Sequence, residues 1–158
     1  WVWNAIGRFG PPAPANLVFD ADEFLTLRVI CEAIFPGKPD WPFSADEVET
    51  PKFFDIYVSN LYPDHHQLFR ALLRTVEYSS VLTDGGRFSK LSLQKRQQVL
   101  HDWGTSDVRL RRAGYQSLTF GIKLGYYEDD RVRAAAGFTA GCNVPQEGRP
   151  TGYGGRTG

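Results

Sequence analysis

The sequence predicts an all-α domain: a compact bundle of about five helices, with an extended N-terminal arm and an irregular Gly-rich C-terminal tail. Three observations carry this reading. Apolar residues recur every three or four positions across most of residues 20–138. Capping residues, Pro and Gly stand where helices of that spacing would start and stop. No stretch shows the sustained alternation of a half-buried strand, and the LTF and IKL pieces near residue 120 fall inside a helical period.

Residues 1–19 read as the arm. Trp1, Trp3, Ile6 and Phe9 are apolar, but Pro11, Pro12 and Pro14 forbid a regular helix or central strand. The helical domain spans 20–138. Asp20 is an N-cap with Glu23 three residues on, close to a capping box. Phe24, Leu27, Ile30, Cys31 and Ile34 then repeat at helical spacing until Pro36-Gly37 stops the helix. A Pro-containing loop follows over 36–50. Thr50-Pro51 opens a second helix with a capping hydroxyl and Pro at its first position, and Phe53, Phe54, Tyr57 and Leu61 give its apolar face. Pro63 ends it, and Asp64 can cap a third helix. There Leu68, Phe69, Leu72, Leu73 and Val76 form an amphipathic stripe. Phe24, Leu27, Ile30 and Ile34 are expected to meet Leu68, Leu72 and Leu73 in the core.

Asp84-Gly85-Gly86 marks a turn. Ser92 can cap a fourth helix that presents Val99, Leu100 and Trp103 and ends at Gly104. Ser106 or Asp107 can cap a fifth, from Val108 toward Leu124, with Leu110, Ala113, Leu118 and Ile122 apolar. Gly114 and Gly121 inside it each cost about 1 kcal/mol relative to Ala, which points to close helix packing or a kink. Asp129 or Asp130 can cap a short last helix through Ala136. Residues 139–158, rich in Gly with Pro145 and Pro150, form the tail.

Composition bounds the function. The 158 residues and 17.8 kDa suit one domain. Lys plus Arg and Asp plus Glu are 18 each, so the chain lacks the electrostatic footprint of a nucleic-acid binder. No apolar run reaches the ~18 residues of a transmembrane segment. Two cysteines are too few for a disulfide framework. The start at Trp1 and the lack of Met are compatible with a removed signal segment, although no signal sequence is visible.

No catalytic, cofactor-binding or metal-ligating set emerges. His65 and His66 are adjacent, so on a helix they point about 100° apart and cannot chelate together. His101 stands alone, and a metal site needs three or four convergent ligands. Cys31 lies on an apolar face and reads as a small buried hydrophobe. Cys142 could pair with Cys31, meet a partner or stay free. The GYGGRTG ending lacks the Lys-Ser/Thr, the preceding strand and the following helix of a phosphate loop.

Partner contacts are the stronger reading. Trp1, Trp3 and Phe9 in the arm and Tyr153 in the tail are candidate anchors, because neither terminal segment has the periodicity to fold on itself. Arg109, Arg111 and Arg112 form a basic cluster at a helix N-terminus, where cations are disfavoured. They are either interface residues or partners of Asp102, Asp107 or Glu77.

The stretches FLTLRVICEAIFPGKPDWP (24–42) and RFSKLSLQKRQQVLHDWGTSDVRLRRAGYQSLTFGIKLGYYEDDRVRAAAGF (87–138) carry a family resemblance. The EAIFP box resembles the opening of the gluconate 2-dehydrogenase subunit 3 family. The later segment is similar to that family's C-terminal half, and also to a helical segment fused to the flavin domain of long-chain alcohol oxidases. The resemblance implies a small helical subunit with no cofactor of its own. It would accompany an FAD-dependent catalytic subunit of the glucose-methanol-choline (GMC) oxidoreductase type, with FAD on that partner and a cytochrome c electron-transfer subunit as a further candidate. It implies a periplasmic location, since several members carry a twin-arginine export signal for both subunits. That signal is not seen here, and a cytoplasmic location stays open. A stand-alone helical binding or regulatory domain and a small helical enzyme are the alternatives.

Overall fold

The computed structural model describes residues 15–137. The elements are α1 (Ala21–Ile34), α2 (Thr50–Ser59), α3 (Pro63–Ser79), the one-turn α4 (Val81–Asp84), a 3-10 turn (Phe88–Lys90), α5 (Leu93–Thr105), α6 (Arg109–Tyr126) and the short α7 (Asp130–Ala135). Five of these run ten residues or more, and no strand occurs among the described residues, so the all-α class holds. Helix α1 packs against α2, α3 and α5, and α6 packs against α2 and α5.

The core follows the apolar periodicity. Leu27, Ile30 and Cys31 from α1 meet Phe54 and Val58 from α2, Leu73 and Val76 from α3, and Leu118, Ile122 and Tyr126 from α6. Phe54 stands edge-on to Phe69 with ring centroids 5.5 Å apart. Such aromatic pairs add about 0.5–1.5 kcal/mol beyond the area they bury.

Three helix starts match their sequence signals. The Asp20 carboxylate accepts from the Glu23 N–H at 2.9 Å, and Glu23 accepts from the Asp20 N–H at 3.0 Å, completing the capping box. Ser92 caps α5, and Asp129 accepts from the backbone N–H groups of Arg131 and Val132 to cap α7.

Elsewhere the chain departs from the expectations. Val18 and Phe19, assigned to the arm, are buried core residues, so the folded unit begins before Asp20. Glu49, with φ at 54°, occupies the N-cap position of α2; Thr50 is already helical, and its buried hydroxyl has no hydrogen-bond partner among the described residues. Pro63 opens α3 rather than ending α2, because proline suits a first helical position whose N–H needs no partner. Asp64 therefore sits in the first turn. Helix α6 starts without a side-chain cap; Ser106 instead accepts from the Val108 N–H just outside it.

The predicted stripes need one systematic correction. Leu68 is 61% exposed and Leu110 is 82% exposed, and Ala113 is also at the surface. Phe24, Ile34 and Leu72 are only partly buried, whereas Leu73 is fully enclosed. Periodicity fixes which side of a helix is apolar, but not how far neighbouring helices reach round it.

The helix glycines mark close packing. A Cβ on Gly121 would lie 2.6 Å from Cε2 of Phe54, and one on Gly114 would lie 2.7 Å from Cδ1 of Leu72. Gly125 is equally tight against Phe53. Gly121→Ala is expected to destabilise by about 1–2 kcal/mol, because overpacking against the enclosed Phe54 ring outweighs the helix-propensity gain. Leu73→Ala should cost about 2–5 kcal/mol and Leu68→Ala under about 0.5 kcal/mol. Urea denaturation of the three variants measures all of these, and equal losses for the two leucines would contradict the assigned faces.

Candidate functional site

Among the described residues, polar side chains inside the fold converge at several places, including three built on Glu23, Asp55 and Tyr126. The first joins the N-terminus of α1 to α3. Glu23, 2% exposed, accepts from Nε of Arg70 and Nε of Arg74, both at 2.8 Å. Asp20 completes the cluster, taking Arg74 at 3.0 Å and Arg70 at 3.4 Å. Arg70 is 6% exposed, so this is a buried ion-pair network. Both carboxylates also sit at the positive end of the α1 dipole, which favours their charge. Burial pushes the Asp20 carboxyl up, but the Glu23 backbone N–H and the Arg74 and Arg70 guanidiniums together hold it below the usual range.

The second place is Asp55 on α2. Its carboxylate accepts from the backbone N–H groups of Leu17, Val18 and Phe19 at 2.6, 3.0 and 3.4 Å. Three donors on one buried carboxylate fix the incoming chain against α2. The third is Tyr126 at the end of α6. Its hydroxyl accepts from Nε1 of Trp41 at 2.7 Å and donates to the Phe43 carbonyl at 2.6 Å, and its ring lies parallel to Phe35 at 3.7 Å. Burial, as the main cause, pushes the Tyr126 hydroxyl pKa up, so it remains a neutral donor. The 35–49 loop is thereby anchored.

These groups were not singled out as functional residues in the sequence. The available signals were Arg70 and Arg74, four apart within an apolar stripe, and Asp55 between Phe54 and Ile56. All three constellations join elements of the fold, which is a structural role.

His65 and His101 lie at the surface of their helices and Cys31 lies in the core. His66 meets the Leu61 carbonyl at 3.0 Å, while His65 and His101 are exposed. Among the described residues no group of three or more His, Cys, Asp or Glu side chains is placed to hold a metal ion. Cys31 is buried, and desolvation pushes its thiol far up, out of the reactive range. No described helix is long and apolar enough to cross a membrane.

The arginine cluster divides. Arg112 turns back to donate to the Ser106 carbonyl, and Arg111 lies over the Trp103 ring at 5.9 Å. Arg109 is exposed and makes no hydrogen bond or ion pair among the described residues. Of the acidic residues named for them, Asp102 accepts from Gln98 and Glu77 from Ser89 and Thr26, while Asp107 is exposed and makes no ion pair with the cluster among the described residues. Trp1, Trp3, Phe9, Tyr153 and Cys142 lie outside the described residues.

Beside the N-terminal half of α3 runs a shallow groove of about 420 Å³, lined by Tyr57, Leu61, His65, Phe69, Gln116, Ser117 and Phe120. Phe120 is 64% exposed at its rim. A family model described as gluconate 2-dehydrogenase subunit 3 matches residues 21–133, most of the chain. No curated protein and no solved structure matches the chain.

Two outcomes are expected from the buried charges. Glu23→Ala leaves two guanidiniums without their shared carboxylate and should cost about 3–5 kcal/mol in denaturant unfolding. A loss under about 1 kcal/mol would place the network outside the folding core. The second concerns acid. Asp20 and Asp46 are held low, and the Arg131 side chain and backbone N–H groups bring Asp129 to about 2. A depressed folded-state pKa contributes stability that is complete above the unfolded value near 4 and lost as pH falls through the folded value. Melting temperature should therefore hold above about pH 5 and fall between about pH 4 and 2. A flat profile down to pH 2 would contradict these assignments.

Proposed function

Because the chain belongs to the gluconate 2-dehydrogenase subunit 3 family, we propose that it is a non-catalytic small subunit that binds and stabilises an FAD-dependent, GMC-type catalytic subunit. The observation that carries this reading is the family match over residues 21–133, since membership implies a complex with a dehydrogenase catalytic subunit. The geometry supports it: the buried ionisable side chains Glu23, Arg70 and Asp55 are all engaged in joining one segment of the fold to another. In this proposal FAD and the reacting groups belong to the partner. A cytochrome c subunit is the candidate acceptor of its electrons. Arg109, Arg111 and Arg112, with Trp1, Trp3, Phe9 and Tyr153, are the proposed contact residues. The proposal includes export of the assembled pair to the periplasm.

Co-expression of the full chain with a flavoprotein catalytic subunit tests it. The two proteins should elute together from size exclusion under one visible flavin band. The flavoprotein should also melt at higher temperature in the pair than alone, as binding to the native state requires. Separate elution with identical melting curves would contradict the proposal. Recovery of both chains in the cytoplasmic fraction alone would remove its export part.

A further inference from the structure

We infer that the outer side of α6, together with the groove beside α3, is the surface that receives the catalytic subunit; this rests on the accessory-subunit reading above. Helix α6 is two-sided. Leu118, Ile122 and Tyr126 face the core, while Arg109, Ala113, Phe120 and Leu124 fall on the opposite, solvent side. Leu110, in the first turn of α6, is exposed as well. Leu68 on α3, one turn from His65 of the groove, continues the apolar surface. Single exposed apolar side chains are ordinary, but a run of them along one helix and into an adjoining groove marks an interaction site.

Charge selects the occupant. Helix α6 carries no carboxylate, and with Arg112 turned to Ser106 and Arg111 over Trp103, Arg109 and Lys123 are its exposed cations without such contacts among the described residues. Arg109 shares the side that exposes Phe120 and makes no ion pair among the described residues. Arginine is the cation most enriched at protein interfaces, where its planar fork binds carboxylates bidentately. The complementary surface is an apolar ridge flanked by Asp or Glu side chains, presented by the flavoprotein subunit. The groove lining contains no Asp, Glu, Lys or Arg, so the ridge itself is uncharged where it enters.

The test uses the purified full chain and a purified flavoprotein catalytic subunit, with binding read by titration and the fold checked by circular dichroism. Phe120→Glu should weaken association about thirtyfold or more, as loss of an interface anchor does. Arg109→Glu should weaken it about three- to tenfold and flatten its salt dependence. Leu25→Glu is the control: Leu25 is exposed on α1, in a cleft shared with Tyr78 and Arg87 that contains no residue of α6. It should leave binding unchanged. Normal association of Phe120→Glu would overturn the assigned surface while leaving the subunit reading intact. Failure of the unaltered pair to associate would overturn both. An isolated chain that dimerises, and becomes monomeric on Phe120→Glu, would assign the surface to a second copy and overturn the inference.

Discussion

Glu23, enclosed between Arg70 and Arg74, is the constraint on which the rest of the bundle depends. An apolar stripe can slide or rotate against another at small cost, because dispersion and burial are non-directional. Two guanidiniums converging on one buried carboxylate cannot. The network ties the first turn of α1 to the middle of α3, and the Asp20–Glu23 capping box ties the same carboxylates to the backbone. Breaking it would leave charge buried without its partner, which costs more than the pair contributes when intact. Asp55 does the same for the chain entering α1, and Tyr126 for the loop leaving it. Burial supplies the driving force, and these directional bonds select one arrangement.

Much of the fold was legible in the sequence because it is local. The Asp20–Glu23 spacing, Ser92 and Asp129 gave helix starts that short-range hydrogen bonds decide. The glycines within α6 gave its close approach to α2 and α3, since only glycine admits the Phe54 ring and the Leu72 methyl at those distances. The failures are equally physical. Thr50 and Asp64 were read as caps from residue type, but the left-handed Glu49 and the proline at position 63 moved each start by a residue or two. Leu68, Leu110 and Ala113 fit the apolar period and are exposed, because burial depends on which helices lie alongside. The Arg70 and Arg74 partnership spans about fifty residues of sequence, so no local pattern reveals it.

The same division bears on function. The interior charges fasten the frame, and the exposed side of α6 is the surface proposed for recognition. That separation suits a subunit whose task is to present a rigid surface. Helix α6 is held on its inner side by α2 and α5, so its outer side chains are positioned before a partner arrives, which lowers the entropy lost on association. The arginine cluster, read in the sequence as one feature, serves two ends: Arg112 closes the helix entrance, while Arg109 stays free of carboxylates among the described residues.

Hydroxyl-radical footprinting of the free chain and of its complex with the flavoprotein subunit tests the central claim most directly. The account predicts that oxidation of Phe120, Leu110 and Leu124 falls sharply in the complex, while Leu25 and Tyr78, exposed in a cleft that contains no residue of α6, react at the same rate in both states. Equal oxidation of Phe120 in the free and assembled chain, with protection appearing at Leu25 and Tyr78, would contradict it.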